Sequence, residues 1–143
     1  MHRLVRRLVA AVALATATVT VLANEPGVPF QPFLDCAASR AYYRYLVEVS
    51  GTGNADELKE LDKYVQYYLQ IAESLSQRSL RKEFLESSDS EKQKATKIMQ
   101  EGGSDAYFAY YAERKNECGR MVREHQKEIM DAADRLYQGR EKH

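Results

Sequence analysis

Apolar positions fall into one continuous block, followed by a series of helical periods. Leu8 to Leu22 is an unbroken run of 15 apolar and small residues. From Phe33 onward apolar residues recur every three or four positions, which is the spacing of one helix face. No stretch alternates strictly enough for a strand. The pattern predicts an all-α bundle of three long helices and one short helix.

Phe33 to Ser50 reads as the first helix, stopped by Gly51-Thr52-Gly53, since glycine takes the left-handed position after a helix cheaply. Leu34, Ala38, Ala41, Tyr45 and Val49 form one stripe. Cys36, Tyr43, Leu46 and Val47 lie nearly opposite, and a helix apolar on two sides is expected to be covered on two sides. The second helix begins after Asn54, with an N-cap residue, Glu57 three positions on and acids in the first turn. Leu58, Leu61, Val65, Tyr68, Ala72 and Leu75 make a heptad-like seam. Ser74, Ser76 and Ser79 weaken it, leaving open whether Leu80, Phe84 and Leu85 continue the helix. Ser88-Asp89-Ser90-Glu91 reads as a second capping box. It would open a short, Lys-rich helix ending at Gly102-Gly103. The last helix runs from near Ser104 to about Gln138, with Gly119 tolerated in its interior to make room beside the first helix. Pro26, Pro29 and Pro32 mark Asn24 to Pro32 as an extended arm, whose Phe30 should dock on the domain. The domain is therefore 33–138, and 139–143 is a polar tail.

The block at the start carries an address. Met1 to Arg7 holds Arg3, Arg6 and Arg7 and no acid, then comes the apolar run, then Val21-Leu22-Ala23 with a small-x-small ending. These are the three parts of a secretory signal peptide, expected to be cut after Ala23. The run is shorter than the ~20 residues of a membrane span. No cysteine stands at its end to carry a lipid. The expected compartment is therefore the periplasm or the exterior.

Charge and cysteine content follow from that cut. The 143 residues balance 21 Lys+Arg against 21 Asp+Glu. Residues 1–23 hold three of the basic groups and none of the acids, leaving 18 against 21 and a net charge near −3. This disfavours a nucleic-acid partner. The two cysteines, Cys36 and Cys118, have one possible pairing. In an exported protein the expectation is a structural disulfide. Their spacing is neither a C-x-x-C redox motif nor a haem motif. If the bridge sets an antiparallel register, at ~1.5 Å rise per residue on both helices, Tyr43 lies level with Tyr111 and Val49 with Asp105. The two glycine turns then share one end. The C-terminal third of the last helix overhangs, to be covered by the Phe30 arm and the far end of the second helix.

Candidate chemistry is sparse. His125 with Glu128 three positions on could contribute to a divalent-metal site, but bundle metal sites draw further carboxylates from other helices. No nucleophile–base pair, phosphate loop or cofactor motif is legible. Tyr42, Tyr43, Tyr110 and Tyr111 gather at one end with Arg40, Arg44 and Arg114. Tyrosine and arginine are enriched at binding hot spots, so these seven residues are the candidate partner surface. The alternative is that the tyrosines serve as boundary core. Three functions fit: a protein-binding module of inhibitor, immunity or adaptor type; a structural or chaperone-like envelope accessory; and a carrier of a metal or small ligand using His125.

Overall fold

The computed structural model describes residues 27–141. The leader expected over 1–23, the first residues of the arm (24–26) and the end of the tail (142–143) lie outside them. The described chain is all α: α1 (Gln31–Ser50), α2 (Ala55–Ser76), α3 (Arg81–Glu124) and α4 (Gln126–Arg140). The short helix expected from Ser88 to Gly102 lies within α3, and α4 is the end of the expected last helix. No helix among the described residues is long and apolar enough to cross a membrane.

Local sequence explains most boundaries. α1 starts at Gln31 rather than Phe33, because Pro32 occupies its first turn, where a missing N–H costs nothing. It ends where Gly51 turns left-handed at φ 66°. Asn54 caps α2, its side chain accepting from the Glu57 amide at 2.9 Å.

α2 stops at Ser76 and does not continue through Leu85. Gln77 takes a left-handed conformation and its side chain donates to the Ser74 and Ala132 carbonyls, the latter at 2.8 Å. α3 then opens at Arg81, seven residues before the expected capping box. Leu80 and Phe84 belong to the main core, and burying them draws the extra turns onto it. Ser88 consequently sits inside a helix. Its hydroxyl donates back to the Phe84 carbonyl at 2.8 Å instead of capping.

α3 is a hairpin rather than a rod. Gly103, at φ 75° and ψ −174°, occupies backbone space essentially reserved for glycine. The halves 81–102 and 104–124 fold back antiparallel: Tyr110 reaches Glu91, and Tyr107 packs with Ala95. The glycine pair therefore ends a helix as expected, but that helix is a long one. The final segment is interrupted at His125, where α4 begins.

α1 is the centre, packed against both α2 and α3, while α2 also meets α4. Its two apolar sides are covered unequally. Leu34 and Ala38 are sealed, but Tyr45 and Val49 of the same stripe are about half exposed or more. The main core joins Phe33, Leu34 and Ala37 of α1 to Tyr68, Ile71 and Ala72 of α2, and both cysteines lie in it. Val28 and Phe30 pack on this cluster together with Ile129, so the arm and α2 cover the start of α4. Gly119 plays a smaller part than expected. A Cβ there would meet only the end of Arg123, so it is not needed for α1 to approach.

Cys36 and Cys118 are bonded, with Cα atoms 6.0 Å apart and both residues buried. The register follows as expected. Tyr43 stacks on Tyr111 at 3.9 Å between ring centroids, and Tyr42 meets Tyr107 edge-on at 5.9 Å.

Two outcomes test this architecture. Reducing the bond, which closes a loop across a separation of 82 residues, should lower unfolding stability by about 4 to 5 kcal/mol on loop entropy. Urea titration with and without reductant measures this, and a change under about 1 kcal/mol would show the clamp to be redundant. Gly103→Ala should cost about 1 to 3 kcal/mol, the range for forcing a side chain into that backbone region. Unchanged stability would refute the sharp turn.

Candidate functional site

The seven residues singled out from the sequence do come together, but as a layer partly inside the bundle. Arg40 and Tyr111, expected on a surface, are buried. Tyr42, Tyr43, Arg44, Tyr110 and Arg114 are half-buried. The reason is the hairpin in α3. It brings a second helix across α1, so a ring pointing away from the α1–α2 seam meets α3 rather than water.

Two ionisable groups are buried in this layer with tyrosines as their partners. Arg40 donates from one terminal nitrogen to the Tyr111 hydroxyl at 2.7 Å. Its guanidinium lies 4.9 Å from the Tyr64 ring centroid, 5.5 Å from that of Tyr111 and 6.0 Å from that of Tyr68. Such contacts stabilise a cation through the negative ring face. Among the described residues no carboxylate pairs with it. Glu91 is buried on the other side, both oxygens accepting from the Tyr110 hydroxyl at 3.0 Å. The Tyr107 ring lies 6.4 Å from that of Tyr111 and 6.2 Å from that of Tyr110, packing against both. Its hydroxyl is buried without a partner.

The other two arginines have carboxylate partners within the chain, although the Nε of Arg114 is buried without a hydrogen bond. Arg44 bonds Asp62 and Glu48, each at 2.6 Å. Arg114 bonds Glu117 at 2.9 Å and approaches Asp35 at 3.9 Å. Asp35 also accepts from Gln31 at 2.8 Å and Ser87 at 3.1 Å, which ties the start of α1 to the first half of α3.

The seven candidate residues leave out three rings that reach solvent. Tyr64 and Tyr67 on α2 and Phe108 on α3 are each about half exposed. They continue the inner layer: Tyr64 lies against Arg40, Phe108 meets Tyr43 edge-on at 6.4 Å, and Tyr67 meets Tyr68 at 5.3 Å. A signal was present, since Tyr64 and Tyr67 lie off the Leu61–Val65–Tyr68 seam of the same helix. The concave surface beside these two tyrosines is lined by α2 residues alone, including Lys59, Lys63 and Gln70. It is an exposed helix face and not an enclosed cavity.

His125 sits at the α3–α4 break. Its Nδ1 is buried without a hydrogen-bond partner, 3.9 Å from the Glu128 carboxylate. No group of three His, Cys, Asp or Glu suited to a metal occurs among the described residues. With both cysteines oxidised, no thiol stands near this imidazole to be activated.

Comparison with protein-family models, with curated proteins and with solved structures yields no match to this chain.

Burial pushes the pKa values of Tyr107, Tyr110 and Tyr111 above the usual tyrosine value. Glu91 adds to the effect at Tyr107 and Tyr110, while Arg40 opposes it at Tyr111. A group raised in the folded state stabilises the fold below its unfolded value and loses that contribution as pH rises past it. Stability should therefore hold up to pH about 10, the ordinary tyrosine value, and fall steeply above it. Tyrosinate absorbance should show these three rings ionising only with unfolding. Smooth titration of all ten tyrosines in the folded chain would contradict the layer.

Proposed function

We propose that this chain is an exported, disulfide-clamped helical module that works by binding another protein. One observation carries the reading: Tyr64, Tyr67 and Phe108 stay half exposed while resting on a buried layer of further rings. Large rings held rigid from behind lose little entropy on contact, which is the character of interface anchors. The buried disulfide and the signal-like leader support an oxidising compartment.

Site-specific photo-crosslinking tests the proposal. A photoreactive residue at position 67 or 108 should give one discrete adduct in the native host. The same residue at position 82, on an exposed lysine away from the rings, should give none. Equal yields from all three positions, or no adduct at 67 and 108, would overturn the assignment.

A further inference from the structure

Arg40 is 7% exposed, yet among the described residues no carboxylate neutralises it. Burying an ion normally requires a partner of opposite charge. Every other buried or half-buried arginine described above has one. Arg40 has one hydroxyl and three ring faces, and these leave most of its five N–H donors free of hydrogen bonds to protein.

Its place in the fold gives that free charge a direction. Arg40 projects from α1 towards Tyr64 and Tyr68 of α2 on one side and Tyr111 of α3 on the other. α2 and α3 each pack on α1 but have at most slight contact with one another. The guanidinium therefore lies at the floor of the seam between them. Half-exposed rings continue from this layer on both helices: Tyr64 against Arg40 and Tyr67 against Tyr68 on α2, and Phe108 against Tyr43 from α3. Tyr64 combines exposure with direct contact to the cation. A planar fork of N–H donors at the base of an aromatic seam matches a carboxylate, which it can bind through two parallel hydrogen bonds.

We infer that the α2–α3 seam receives an acidic peptide segment of a protein partner, with an Asp or Glu carboxylate placed on Arg40 between Tyr64 and Tyr111 and the flanking apolar side chains on Tyr67 and Phe108. This rests on the protein-binding reading and adds the chemistry of the bound segment. The charge complementarity lies in Arg40: the ion that the fold leaves without a counter-charge is the one the ligand supplies.

The test is selection of a random peptide library displayed on phage against the purified chain with its disulfide intact. The enriched peptides are then measured by fluorescence anisotropy. Enriched sequences should share an Asp or Glu beside apolar residues. Replacing that acid by its amide should weaken binding by about tenfold to a hundredfold, as loss of a charge-assisted contact does. Arg40→Gln should weaken the acidic peptide to the same extent and leave the amide peptide unaffected. Tyr64→Ala changes an exposed ring and should weaken both peptides. If Arg40→Gln does not fold, the acid–amide comparison on the unaltered chain decides.

Enrichment without an acid preference would overturn the inference and leave the protein-binding reading standing. So would acidic peptides that bind Arg40→Gln as tightly as the unaltered chain. Failure to enrich any peptide also overturns it. In that case, Arg40-dependent thermal stabilisation by acetate or phosphate would assign the site to a small free anion.

Discussion

The covalent tie between Cys36 and Cys118 decides what faces what. It joins α1 to the second half of α3 at a point where both sulfurs are sealed from water. With the helices antiparallel, each step towards the C-terminus of α1 is matched by a step back along α3. Two turns away, Tyr43 must meet Tyr111, and their rings stack at 3.9 Å. The tyrosine layer is thus a consequence of the clamp. A one-residue slip would rotate Tyr111 away from both Tyr43 and Arg40.

That layer resolves an electrostatic difficulty by using hydroxyls and ring faces in place of ion pairs. Arg40 and Glu91 are both buried, and each is met by a tyrosine oxygen, from Tyr111 and Tyr110 respectively. Tyrosine suits this task because one end of the ring donates or accepts a hydrogen bond while the face attracts a cation. Leucine at the same positions would fill the space with neither hydroxyl nor ring face, and phenylalanine would keep the ring face but lose the hydrogen bonds to Arg40 and Glu91.

Much of the architecture was legible because it rests on local chemistry. The 3.6-residue period placed the helices, Asn54 capped α2, and Gly51 and Gly103 ended helices as glycines do. The errors also have local causes. Ser88 carries a capping-box spacing, but its hydroxyl bonds back within the helix, because burial of Leu80 and Phe84 outweighs a cap of about 1 kcal/mol. Pro32 reads equally well as the end of an arm or the first turn of a helix. Gln77 takes a left-handed turn that composition does not announce, held by bonds to Ser74 and to Ala132 on a distant helix.

The candidate site divides along the same line. That tyrosines and arginines cluster at one end followed from spacing and a single possible disulfide, since helical rise converts residue separation into distance. Which of them face solvent did not. Exposure depends on where the third helix crosses, and that is set by one glycine turn and by the competition of several side chains for the same core. The sequence by itself determined the helices, the clamp and the register. Only the tertiary structure decided that Arg44 and Arg114 are neutralised within the chain, that Arg40 is buried without a counter-ion, and that Tyr64, Tyr67 and Phe108 are left at the surface. The physical reason is that periodicity is a property of one helix, whereas burial and charge pairing belong to the contacts among several.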